Sequence, residues 1–149
     1  MSILRNDTQV ALNDLHRALQ ESADHYQYAA DFLEGSAASD VCAKLVRERR
    51  GLAARVADAI RESGELPGEA DRDLEAAEQI RQRFEALVEG DEVSAVVTHR
   101  LDAEGEFLAF LERDVRPLLG DTHSELLSES RKSVDHAREL LGSLGAGGE

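Results

Sequence analysis

A chain of 149 residues is one domain of ordinary size, able to bury a core without disulfides or metals to staple it. Its 31 acidic residues against 17 basic ones give a net charge of −14, which repels phosphate backbones and anionic lipids, so neither nucleic acid nor a membrane surface is expected as a partner. With 42% hydrophobic residues, two Pro and no Trp, the core must be built mainly of Leu, Ala and Val, a composition that suits helices.

In chain order, Leu12, Leu15, Leu19, Ser22, Tyr26, Ala29 and Leu33 step by three and four and predict a long first helix over residues 6–34. Gly35 supplies a stop and Ser36 or Ser39 a cap, after which Cys42, Leu45, Val46, Leu52, Val56 and Ile60 predict a second helix over 37–63. "SGELPG" is the clearest turn. Leu74, Ala77, Phe84, Leu87 and Val88 then predict a shorter amphipathic helix over 70–88, ended by "EGDE". A further helix over 91–115 carries Val93, Val97, Leu101, Glu104, Leu108 and Leu111, and Pro117 is expected to close it at Arg116. Thr122 with Glu125 has the pattern of a capping box for a last helix over 121–142, whose inner face reads Leu126, Ser130, Ser133, Ala137 and Leu140. Residues 143–149 hold too much Gly for a packed element and are expected as a flexible tail to a single domain of residues 1–142.

Two helices of about 27 residues reach about 40 Å at 1.5 Å per residue, which fits an antiparallel bundle better than a cluster of short helices. The link to the 91–115 helix spans a whole extra helix and can travel the length of the bundle. The expected fold is therefore all-α, a ferritin-like antiparallel four-helix bundle with one peripheral helix between core helices two and three. The start "MSILRNDTQV" has no apolar run for a signal peptide or a span, and Cys42, the single cysteine, allows no internal disulfide, so the cytoplasm is the expected compartment.

A di-iron centre in such a bundle needs a Glu from each of two helices and Glu-x-x-His from each of the other two. Glu48 is followed three residues on by Gly51, and His136 is preceded three residues back by Ser133, so the ligand set falls short. Glu104, on the inner stripe of its helix, is the third candidate. Glu48, Glu104 and His136 are thus the metal candidates, with iron or manganese as the metals such ligands would take. The competing reading is a polar layer, with Glu104 paired to Arg49 or bonded to Tyr26, Ser133 or His136, and with Glu48 and Arg49 flanking the inner stripe of the second helix. In a layer of that kind Glu104→Leu would be close to neutral.

The stretches "LNDLHRALQESADHYQYAA", "VRERRGLAARVADAIRESGELP", "RLDAEGEFLAFLERDVRPLL" and "SVDHAREL" cover nearly the whole chain and resemble a bacterial ferritin-like family of conserved hypothetical proteins, a domain of unknown function. The family usually has "L-G-G-x-P" after its second helix, where this chain has "SGELP". The resemblance implies the bundle with its accessory helix and no established reaction.

Three function classes follow. The shortage of ligands favours a bundle without a complete di-iron site, non-enzymatic and needing no cofactor, in a structural, stress-related or partner-binding role. The second is a degenerate metal-binding oxidoreductase using Glu48, Glu104 and His136, and the third is a small molecule held in the polar layer. The apolar stripe of the 70–88 helix favours a homodimer, and a protein partner is not identified by any motif.

Overall fold

The computed structural model describes residues 6–67, 78–79, 82 and 92–147, and among these the chain is helical with no strand. Helix α1 spans Asp7–Phe32. It opens on a reciprocal cap in which Asn6 Oδ1 accepts from the Gln9 amide at 2.8 Å and the Gln9 side chain accepts from the Asn6 amide at 3.1 Å, so that two otherwise unpaired donors are satisfied. Gly35 then turns the chain at φ +91°, a conformation that L side chains rarely adopt. Ser36 Oγ accepts from the Ser39 amide and starts helix α2, Ala37–Glu62. Helix α3 runs Glu92–Phe110, a π-helical turn covers Leu111–Val115, a short helix α4 covers Arg116–Leu119, and helix α5 runs Ser124–Gly147 behind a 3-10 turn at Asp121–His123.

The core falls into two apolar clusters stacked along the bundle. At one end Leu12, Leu15 and Leu19 meet Val56 and Ile60, Leu111 and Leu119, and Leu126 and Leu127. At the other end Tyr26 and Leu33 meet Cys42 and Leu45, Val96 and Val97, and Ala137 and Leu141. These partners fix the directions: α1 and α5 run one way, and α2 and α3 run the other. Thr8 Oγ1, near the start of α1, lies 3.4 Å from the carbonyl oxygens of Leu118 and Leu119, consistent with that order. Because α2 and α3 are parallel, the end of α2 and the start of α3 lie at opposite ends of the bundle. Helix α1 packs on α2, α2 on α5 and α5 on α3, whereas α1 and α3, the remaining neighbouring pair, approach each other less closely than these, leaving one side of the bundle less closed.

Three expectations are corrected. Pro117 does not close the third core helix. It sits in the first turn of α4, where its missing N–H is tolerated, and the preceding π turn lets the Arg116 amide bond back to Leu111 O. The break comes three residues later at Gly120, with φ +76°. Thr122 lies inside the 3-10 turn, and α5 begins at Ser124, so the capping pattern expected at Thr122 and Glu125 does not open the last helix. That helix also continues to Gly147, beyond the end near 142 expected from its Gly content. The amphipathic helix expected over 70–88 lies outside the described residues, apart from Glu78, Gln79 and Gln82, which are helical.

Candidate functional site

Between the two apolar clusters each core helix contributes polar side chains to one layer: Ser22 and Tyr26 from α1, Glu48 and Arg49 from α2, Glu104 from α3, and Ser133 and His136 from α5. Arg49 is at its centre. Its position falls at helical spacing between Val46 and Leu52, on the same buried face, and its side chain is 0% exposed, so it occupies the inner stripe of α2 rather than flanking it as expected. Glu48, one residue earlier, is turned to the side and half-buried.

The guanidinium donates to three neighbouring helices. Arg49 Nε bonds to Ser133 Oγ at 2.8 Å, Nη1 to Ser22 Oγ at 2.8 Å, and Nη2 to Glu104 Oε1, with a longer contact from Nη2 to the Ser133 carbonyl at 3.3 Å. Its plane also approaches two aromatic rings, with Cζ 5.1 Å from the Phe107 centroid and 5.7 Å from that of Tyr26. Tyr26 Oη donates to the second oxygen of Glu104 at 2.7 Å, so both carboxylate oxygens are engaged inside the bundle. Burial, and then the negative charge of Glu104, push the Tyr26 phenol well above its ordinary range, which keeps its proton available for that bond.

The network continues outward through Ser133, which accepts from Arg49 and donates its own hydroxyl proton to Glu48 Oε1 at 2.6 Å. Glu48 Oε2 lies 2.7 Å from His136 Nδ1, which donates to it, and this end of the chain of bonds reaches the surface between α2 and α5. The metal candidates Glu48, Glu104 and His136 are therefore brought into one network, with the guanidinium of Arg49 and the Ser133 hydroxyl standing between Glu104 and the Glu48–His136 pair. Among the described residues no three His, Cys, Asp or Glu side chains converge to hold a metal ion. Cys42 is buried, and burial pushes its thiol up to about 11, which makes it a core residue rather than a nucleophile.

Arg100, one helical turn before Glu104, is the residue that the sequence pattern did not single out. It is 4% exposed, and its Cζ lies 4.9 Å from the Tyr26 ring on the side of the layer facing α1. Burial holds its pKa below the usual arginine value, against the opposing effects of Tyr26 and Glu104. Val93, Val97, Arg100, Glu104, Phe107 and Leu111 alternate steps of four and three, so a strict heptad passes through Arg100, but Leu101 and Leu108 draw an apolar stripe to one side of it. Beside Arg100, on the less closed side between α1 and α3, a cleft of about 440 Å³ opens.

Compared with known proteins, the chain matches no family model, no curated protein and no solved structure. Among the described residues no helix is long and apolar enough to cross a membrane.

Proposed function

We propose that this chain is a ferritin-like bundle that works as a binding protein, with a guanidinium rather than a metal centre at the middle of its core. The observation that carries the reading is the position of Arg49, wholly buried and bonded to Ser22, Glu104 and Ser133 on the three other core helices. In ferritin-like bundles the carboxylates that project inward at mid-height neutralise two metal ions. Here the inward carboxylate, Glu104, is neutralised by Arg49. Parallel α2 and α3, which require one long crossover, also support the ferritin-like assignment.

The oxidoreductase reading requires Glu48, Glu104 and His136 to converge on one ion. For that Arg49 would have to leave the layer, and both bonds to Ser133 would break with it. A fully buried cation has no low-cost place to go. Metal analysis of protein purified without chelators tests the choice: far less than one iron or manganese per chain is expected, with no change of melting temperature on adding EDTA. Stoichiometric metal that is lost in Glu104→Gln would overturn the proposal. A homodimer remains part of the reading, and light scattering should give twice the monomer mass.

A further inference from the structure

The cleft between α1 and α3 is lined by Arg100, a buried cation that makes no salt bridge among the described residues. Arg100 Nε is buried and has no hydrogen-bond partner among the described residues; the face of the Tyr26 ring lies beside the guanidinium, and the charge of Glu104 supports it without a bond. Glu104, the nearest buried carboxylate, has one oxygen taken by Arg49 and the other by Tyr26. The fully buried part of the layer thus carries two guanidinium groups, Arg49 and Arg100, and one carboxylate, Glu104. An anion gains most beside a buried guanidinium with an unpaired N–H, because a charge-assisted bond to such a group is stronger than its equivalent in water.

We propose that this cleft binds a small molecule that carries a single carboxylate on an apolar body, with Arg100 receiving the carboxylate. The volume of about 440 Å³ suits a molecule of that kind. Phe107 and Phe110 line the cleft as a stacked pair with centroids 6.2 Å apart, and Ala18 and Ala103 add apolar wall. These surfaces receive the body of the ligand, while the planar fork of Arg100 matches the two oxygens of a carboxylate. Asp14, Glu21 and Glu106 also line the cleft against one further cation, Arg17, and the chain as a whole carries −14, so a multiply charged anion such as phosphate is disfavoured relative to a single charge met by Arg100. The proposal rests on the binding-protein reading but not on how the centre is neutralised, so metal content and ligand binding can fail separately.

Titration of the whole protein with sodium octanoate, octanol and inorganic phosphate, followed by ¹H–¹⁵N NMR including the Arg100 Nε–Hε signal, is the test. Octanoate is expected to move that signal saturably at millimolar concentration or below, with octanol and phosphate each about tenfold weaker or worse. Arg100→Gln should lose about tenfold or more in octanoate affinity, whereas Arg47→Gln, a charge change at an exposed position on α2, should stay within about twofold. If Arg100→Gln does not fold, contacts from octanoate methylene protons to the rings of Phe107 and Phe110 in the unaltered protein decide: their presence supports the site and their absence overturns it. Failure of octanoate to saturate, undiminished binding by Arg100→Gln, or phosphate binding as tight as octanoate would each overturn the proposal.

Discussion

Arg49 and Arg100 lie in adjacent regions of the same bundle and are buried almost alike, at 0% and 4% exposure, yet only one of them is compensated. Arg49 is met by two hydroxyls, a carboxylate and a backbone carbonyl contributed by α1, α3 and α5, whereas Arg100 rests on a ring face and has a buried N–H with no partner among the described residues. Burial alone therefore says little about what a charged residue does. A guanidinium whose donors are shared among three helices fixes how those helices sit around the fourth, while one left short of acceptors at the wall of a cleft is a group that a ligand can complete.

The sharpest way to break the comparison is to remove the compensated charge or its partner. Arg49→Met leaves Glu104 buried opposite an apolar group, and Glu104→Leu leaves Arg49 likewise, so either single change should lower unfolding free energy by about 3–5 kcal/mol. This replaces the near-neutral outcome expected for Glu104→Leu from sequence, because the partner it abandons is wholly buried. In the double variant Arg49→Met/Glu104→Leu no charge is stranded, and most of the loss should return. Urea denaturation of the four proteins forms a double-mutant cycle, and simple additivity of the two losses would show that the pair is not a unit.

A smaller effect is expected one bond away. Tyr26→Phe removes the donor to Glu104 Oε2 and leaves that oxygen buried without its bond, at a cost of about 1–3 kcal/mol. The ring and its contact with Arg100 stay in place, so this change should act on the Arg49 side of the comparison and leave the cleft's ligand affinity within about twofold, or a few tenths of a kcal/mol. A loss of octanoate affinity equal to that of Arg100→Gln would mean that the two regions are one site.

Much of this arrangement is legible in the sequence, for identifiable reasons. The three-four spacing of Leu12, Leu15 and Leu19, and of Leu52, Val56 and Ile60, marks the buried faces because apolar side chains at that spacing have only one side to turn to the core. Glu104 reads as an inner residue with Arg49, Tyr26, Ser133 or His136 as its partner, since a carboxylate on a Leu-rich stripe must find a donor, and of these Arg49 and Tyr26 are the two bonded to it. Arg49 at the centre of its helix and Arg100 on its own are harder to see, because arginine ordinarily reads as surface. The extra helical residues at the end of α5 and the passage of the chain through Pro117 depend on packing and on a local π turn, neither of which spacing encodes.

The uncompensated side of the comparison predicts the opposite sign. Arg100→Leu removes a buried cation, an unpaired N–H and a contact with the Tyr26 ring, and it abandons no carboxylate that lacks another partner. Loss of the ring contact costs about 0.5–2 kcal/mol, and relief from ion burial offsets it, so the net change should be about 1 kcal/mol in favour of the folded state. A melting temperature raised in Arg100→Leu and lowered in Arg49→Met is the expected pair of results. A loss in both comparable to breaking the Arg49 pair would show that Arg100 has a structural partner after all.

The smallest effect concerns His16, which shares the apolar end of the core with Leu12, Leu15 and Leu19 and is 6% exposed. Burial, and then the charge of Arg61, hold its pKa below the ordinary histidine value of 6.5. The neutral ring is therefore favoured in the folded chain, and below pH 6.5 the unfolded chain takes up the proton first. Stability present above that pH is lost as pH falls from 6.5 towards the lowered folded value, with a slope of at most about 1.4 kcal/mol per pH unit. Glu112, held below the usual carboxylate range by Arg131, loses its own contribution only as pH falls below the carboxylate value of 4.5, so the two windows are separate. Denaturation of the unaltered protein and of His16→Leu between pH 7.5 and about 5 should give curves that diverge below pH 6.5, with His16→Leu the flatter of the two. Parallel curves would mean that His16 accepts its proton as readily in the core as in the unfolded chain, and that burial is not what sets its charge.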